Sequence, residues 1–396
     1  SGTWLLSGVI PTLIYYGLDI LHPSIFLFAA VIISALVSLS TGSSWSTIAT
    51  IGVALLGIGT ALGIDKAITA GAIISGAYFG DKMSPLSDTT NLAPAMAGTD
   101  IFTHIRYMMY TTIPSMTITL IIFFIMGFTL DFSADQANIS SVKHMIEQNF
   151  HVSPWLFLVP AFLIIIIIKK VNPIPAMLLG TLAGGLFAVI FQPELIKTIA
   201  GIDNNYLKAS YIAVMQSMYG EISLAGDGKM SNLFSTSGMG GMLPTIWLIL
   251  SAMVFGGVME SGGMLKRITQ SIIKRVKSTG SLVASTAVSC IFFNATASDQ
   301  YISLVVPGKM YAKVYKKFGL KPEVLSRALE DAGTVTSVLI PWNTGGATQA
   351  KVLGVPTIAY LPYAFFNLIS PLMTIAVAYL NLNIRRIAHP KTKPEK

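Results

Sequence analysis

The sequence predicts an all-α integral membrane protein built from two inverted repeats, each with a re-entrant hairpin and a broken transmembrane helix. Three observations carry this reading. The chain has 396 residues, of which 53% are hydrophobic and only 11% charged. Its apolar runs are repeatedly too short to cross a bilayer and are interrupted by polar segments. Polar motifs near its beginning recur near its end at an almost constant offset.

A soluble domain carries about 25% charged residues. With a mean hydropathy of +0.67, this chain cannot cover a water-facing surface, and the bilayer is the solvent that fits it. The net charge of +8 would suggest nucleic acid in a soluble protein. Here it is tested first against the excess of Lys and Arg expected in cytoplasmic loops. Cys290 is the only cysteine, which excludes an intrachain disulfide. No signal peptide is visible. Ser1 does not read as a natural start, and the run from Trp4 to Ile20 reads as the second half of a spanning helix, so further helices are expected before it.

A spanning helix needs about 20 residues. The runs at 281–293 and 300–312 are 13 residues each and flank the polar segment Asn294–Gln300. Those at 67–80 and 93–99 flank the polar segment Gly80–Leu92. Polar backbone at membrane depth is tolerated only where protein or a water-filled cavity surrounds it. These segments therefore predict hairpin tips and helix breaks. Ser7-Gly8 matches Ser261-Gly262, and Ser40–Ser44 matches Asn294–Ser298, both 254 residues apart. Ser84-Pro-Leu matches Ser337-Val-Leu at 253, and Asp81 falls opposite Asp331 at 250. The common order and offset predict a repeated unit of helix, hairpin, broken helix and helix.

Charge supplies the topology. With the basic tail at 385–396 inside, the basic flanks of 281–312, from Lys266 to Lys277 and from Lys309 to Arg327, also fall inside, so that segment enters and leaves by one face. The hairpin at 23–63 then has both ends outside. Of 26 Lys and Arg, this scheme puts 19 in the cytoplasm, six outside and Lys82 within the membrane, as the positive-inside rule requires. Orientation accounts for the positive charge, and no nucleic-acid partner is needed. The expected divisions are 1–130, first repeat; 131–151, external loop; 152–192, two scaffold helices; 193–241, external segment, with a candidate interfacial helix at 204–219; 242–384, second repeat; and 385–396, basic tail.

The candidate chemistry sits on the tips and breaks. The tips are Ser40, Thr41, Gly42, Ser43 and Ser44, and Asn294, Thr296, Ser298 and Asp299; the breaks run from Asp81 to Asn91 and from Thr334 to Thr348. Pro85 and Pro341 lie in the breaks, and proline stops a helix by removing a donor and clashing with the preceding turn. The freed carbonyls, with nearby carboxylates, hydroxyls and Asn side chains, form the oxygen set a hard cation such as Na⁺ prefers. An ionisable residue in a spanning segment costs roughly 2.5–3.5 kcal/mol on insertion scales and marks an ion or proton path. That singles out Asp81, Asp88, Asp299 and Asp331, with Ser84, Thr89, Asn91, Thr336, Asn343 and Thr344 as neighbouring ligands. Na⁺ is expected near Asp88, Asn294 and Asp299. Lys82 is expected to neutralise Asp81 beside it, or to form a buried structural pair with it. Glu330 and Glu260 are weighed as further carboxylates but could equally be helix-end or boundary residues. Trp45 and Trp342 are expected to pack hairpin against break. His104, His144 and His151 read as loop residues. No GxxxxGK[ST], HExxH, paired CxxC or GxSxG motif occurs, so neither ATP hydrolysis nor an intramembrane hydrolase is expected, and an ion gradient is left as the energy source.

Phe79–Pro94, Thr41–Ser46, Asn294–Tyr301 and Leu329–Thr344 together resemble the NhaC family of sodium/proton antiporters, within the broader ion-transporter superfamily. The resemblance implies Na⁺/H⁺ exchange without a cofactor, alternating access of the elevator type, a homodimer, and a multi-pass place in a bacterial cytoplasmic membrane with the C-terminus inside. The superfamily also includes exchangers that couple malate entry to lactate exit, and that reading is kept as the alternative.

Overall fold

The computed structural model describes residues 2–130, 136–169, 171, 173–223, 235–236, 238–274 and 276–387. The described residues are overwhelmingly helical; the one sheet among them is the two-residue pairing of Ile222–Ser223 with Ser235–Thr236. Among the described residues, five helices are long and apolar enough to cross a membrane, and counting three bent pairs as single spans raises this to eight. The protein is a multi-pass helical membrane protein. The helix Leu243–Ser261 leaves Trp247 74% and Val254 68% exposed, an apolar outward face suited to lipid.

The first hairpin has arms Pro23–Thr41 and Ser44–Ala61, the second arm containing a π-helical turn at Ile48–Gly52. Its tip turns because Gly42 adopts φ 67° and Ser43 caps the next helix, accepting from the Ser46 amide at 3.2 Å. The first broken helix runs Lys66–Met83 and resumes as Asp88–Ala97. Pro85 lies in the interruption. The Ser87 hydroxyl caps the resumed helix, and Asn91 Nδ2 donates to the Pro85 and Ser87 carbonyls at 3.0 and 2.7 Å. The interruption is thus hydrogen-bonded rather than loose.

The hairpin and the broken helix meet through glycine. A Cβ on Gly76 would lie 2.2 Å from the Val31 carbonyl oxygen, and one on Gly80 would lie 2.3 Å from that of Ala35. The four-residue spacing puts both glycines on one face of the helix, the small-xxx-small arrangement that lets membrane helices approach closely. The long helix Ile101–Thr129 closes on the hairpin in the same way, Gly127 lying against the Ser24 carbonyl.

The second hairpin has arms Thr279–Thr296 and Gln300–Lys317. Ser298 at its tip has φ 59°, a left-handed conformation that costs a non-glycine residue roughly 1–2 kcal/mol. The second broken helix starts as Pro322–Leu329, passes through a π-helical turn at Glu330–Thr334 and a 3-10 turn at Ser337–Leu339, and resumes as Thr344–Leu353 under an Asn343 cap. The final helix is Phe365–Tyr379. One apolar core, including Phe26, Ile73 and Tyr78, is built around the first hairpin and break; a second, including Leu304, Tyr311 and Leu329, is built around their later counterparts.

The segment 131–151, read as an external loop, carries the helix Gln136–Asn149. Within 193–241 the structure has helices Pro193–Ala200 and Tyr206–Tyr219, the second where an interfacial helix was expected, while 224–234 lie outside the described residues. Of the basic tail, Arg385 and Arg386 are described and Lys391, Lys393 and Lys396 are not. The chain folds back at this point, with the Ile387 amide donating to Gly319 and the Lys321 amide to Arg385, at 2.8 and 3.1 Å.

Substituting Gly80→Val forces the two helices apart, and overpacking of this kind costs about 1–3 kcal/mol. The thermal midpoint of the detergent-solubilised protein should fall. Gly257→Ala, on a helix where a Cβ meets nothing within 4 Å, should leave it unchanged.

Candidate functional site

Each hairpin tip is tied to the break of its own half. Asp81 ends the first half of the first broken helix and is buried at 6% exposure. One of its carboxylate oxygens accepts from the Ser44 amide at 3.1 Å and from the Ser44 hydroxyl at 2.6 Å. Gly42 completes the contact, since a Cβ there would sit 2.6 Å from Leu86 Cβ. At the second tip, Asn294 Nδ2 donates to the Gly333 carbonyl at 2.6 Å and to the Thr336 hydroxyl at 3.0 Å. Asn343 Nδ2 donates back to the Asn294 carbonyl and side-chain oxygens at 2.9 and 3.2 Å. The Thr344 amide donates to the Ser298 carbonyl at 2.9 Å. Trp342 Nε1 donates to the Ala295 carbonyl at 2.7 Å, the hairpin-to-break packing expected of that tryptophan.

The two breaks are tied to one another. Lys82 and Asp331, both fully buried, form an ion pair across the breaks. The ammonium also donates to Ser370 Oγ at 2.9 Å and lies 5.6 Å from the centre of the Phe366 ring. The other Asp331 oxygen accepts from the Thr111 hydroxyl at 2.8 Å. A second link runs from the Thr89 hydroxyl to Glu330 at 3.1 Å. Lys82 therefore does not neutralise its sequence neighbour Asp81. Successive positions on a helix point about 100° apart, so Asp81 faces the first tip while Lys82 faces the second broken helix.

The remaining candidates take varied places. Asp88 is exposed in the first turn of the resumed helix. Asp299 is half-buried and caps the second arm of its hairpin, accepting from the Tyr301 and Ile302 amides at 2.9 and 3.0 Å. Ser84 is buried inside the first break, with its hydroxyl accepting from the Leu86 amide at 3.3 Å. Thr41 bonds with Thr47 across its own turn at 3.3 Å. Thr296 donates one turn back to the Phe292 carbonyl at 2.8 Å. Glu260 is exposed on the helix Leu243–Ser261.

The sequence reading left several residues aside. Glu330 is fully buried, and one of its carboxylate oxygens has no hydrogen-bond partner among the described residues. His104 is not a loop residue: it is buried within the helix Ile101–Thr129, its Nδ1 2.8 Å from Ser326 Oγ. Arg327, counted as a cytoplasmic flank, is fully buried, its guanidinium 4.4 Å from the Tyr107 ring centre. Thr111 and Ser370 carried no signal in the sequence, because a lone hydroxyl in an apolar helix usually bonds to its own backbone.

The described residues therefore bury three carboxylates, Asp81, Glu330 and Asp331, with one ammonium, where two broken helices cross. Buried charges are costly unless paired. This set has room for a further small cation or for protons, and the hydroxyl and carbonyl oxygens around it suit Na⁺.

Residues 76–382 match the model of the Na⁺/H⁺ antiporter family. Over 381 residues, 96% of this chain and 79% of the relative, the chain is 40% identical to the Na(+)/H(+) antiporter NhaC of Alkalihalophilus pseudofirmus. It is 37% identical over 398 residues, 100% of this chain and 82% of the relative, to the malate-2H(+)/Na(+)-lactate antiporter of Bacillus subtilis. It is 34% identical over 397 residues, 99% and 79% of the two, to the arginine/ornithine antiporter ArcD of Halobacterium salinarum. These relatives are transporters rather than enzymes.

Asn294→Ala removes buried hydrogen bonds to the Gly333 carbonyl, the Thr336 hydroxyl and the Asn343 side-chain amide, a net loss of about 0.5–1.5 kcal/mol for each bond. Thermal unfolding should show a clear drop in midpoint. Thr296→Ala, which removes only a bond within its own helix, should show little change.

Proposed function

Because the chain belongs to the Na⁺/H⁺ antiporter family, we propose that it exchanges Na⁺ for H⁺ across a bacterial cytoplasmic membrane by alternating access. The observation that carries the reading is the surplus of buried carboxylate over buried ammonium at the crossing of the two broken helices. A carboxylate in such a place holds either a cation or a proton. Na⁺ is assigned to Asp81, with Asp88 at the mouth of the site and the Asn294–Asp299 tip as the opposite wall. Protonation displaces the ion, so Na⁺ affinity falls as pH falls, by at most about tenfold per pH unit for one competing proton.

The elevator form of alternating access is supported by the bonds from each tip to its own break, Ser44 to Asp81 and Asn294 to Asn343. Tips and breaks held this way move as one body. The inverted repeat, the cytoplasmic C-terminus and a homodimer complete the proposal; the excess of Lys and Arg on one face supports the orientation.

A second reading, exchange of malate for lactate with coupling ions, draws on the relative of that name. A bound carboxylate needs a free cation or amide donors. At the crossing Lys82 is engaged by Asp331, which favours Na⁺/H⁺ exchange; the buried Arg327 guanidinium, without a hydrogen-bond partner among the described residues, is the cation the second reading would use.

In proteoliposomes an imposed Na⁺ gradient should shift lumenal pH, and radiolabelled malate and lactate should not accumulate. Asp81→Asn and Asp88→Asn should each abolish exchange while the protein stays folded. Na⁺ uptake indifferent to lumenal pH would defeat the reading, and retained antiport in either variant would remove that residue from the site.

A further inference from the structure

Asp81 and Asp331 each lie on the first part of a broken helix, ahead of its interruption, 250 residues apart. Their surroundings are also alike in kind: each is buried and each accepts from a hydroxyl, Ser44 for Asp81 and Thr111 for Asp331. They differ in one respect. Asp331 has a cation on it and Asp81 has none among the described residues. That cation belongs to the residue after Asp81, whereas the residue after Asp331 is Ala332 and can return nothing.

We infer that the Lys82 ammonium is a tethered cation filling a cation site at Asp331, so that of these two buried aspartates only Asp81 is left for the transported ion. This rests on the Na⁺/H⁺ reading above. The ammonium's surroundings fit the role. An ammonium has three donors and no acceptor, and the three directions are taken up by Asp331, by Ser370 Oγ at 2.9 Å and by the face of Phe366. With the Thr111 hydroxyl on the other carboxylate oxygen, Asp331, Ser370 and Thr111 present oxygen ligands of the types Na⁺ accepts. Lys82 is itself fully buried, so its charge is not shared with solvent. Removing the ammonium leaves a buried carboxylate that must be neutralised, and a free Na⁺ is the smallest change that does so. Lys82 is a specificity-determining residue in this account: it sets how many cations the carrier takes.

The test counts Na⁺. The full chain is purified in detergent at high Na⁺, and ²²Na⁺ binding is measured at fixed pH for the parent protein, Lys82→Met and Lys82→Gln. Each variant should bind one more Na⁺ per chain than the parent, and its thermal midpoint should become more dependent on Na⁺ against choline. The double variant Lys82→Met/Asp331→Asn should lose the additional ion. An unchanged count in both single variants overturns the inference. Failure of both to fold even in high Na⁺ also overturns it, because Na⁺ is then not replacing the ammonium. A parent protein that binds no Na⁺ defeats the antiport reading instead, so the two failures are distinguishable.

Discussion

The ion pair between Lys82 and Asp331 is the contact on which the rest of this structure depends. It joins the ends of two interrupted helices that are remote in sequence, and both partners are fully buried. Breaking a buried pair by removing one partner typically costs 3–5 kcal/mol, because the other charge is left uncompensated. The long helix and the final helix are held to the same point, through Thr111 and Ser370. The crossing is therefore fixed from four elements, and the hairpin tips are hung from it.

Around that fixed point the halves are built alike but used differently. Each tip is fastened to the break beside it. The first does so with a carboxylate and a serine, Asp81 and Ser44; the second does so with two asparagines, Asn294 and Asn343. The second set is neutral and closes on itself. The first set keeps a buried negative charge. A carrier for a single small cation needs this imbalance, since two equally open sites would load together. The relatives are named for sodium, for malate with lactate, and for arginine with ornithine, and such differences live in the residues of a site rather than in the fold.

Much of the fold was legible in the sequence because polar segments interrupt its apolar runs. The polar segment Asn294–Gln300 does join two helices, but each arm has 18 residues rather than the 13 of its apolar run, so length alone does not make it re-entrant; Pro85 and Pro341 lie in the helix interruptions, as expected. The helix within 131–151 was not legible, since its polar residues carry no apolar run. The site was legible in its residue types but less so in its pairings. Each hairpin tip meets a break, Ser44 bonding Asp81 and Asn294 bonding Asn343. The partner of Lys82 was misjudged, because adjacency along a helix does not put side chains on one face. Glu330 was weighed as a further carboxylate but not placed among the ligands, because a carboxylate at the start of a broken helix can be a helix-end residue until burial is known. His104 and Arg327 were placed at the surface for the same reason: a charge near the end of an apolar run can snorkel outward or turn in, and only tertiary packing decides.

In the proposed carrier the transported cation sits at Asp81 while Lys82 holds Asp331. Locating the cation directly, with thallium(I) as an electron-dense substitute for Na⁺ in an experimental structure, tests this most directly. The expected result is one strong peak within bonding distance of Asp81 and Ser44, with the Lys82 nitrogen still on Asp331. A peak at Asp331 with Lys82 displaced, and none at Asp81, would contradict it.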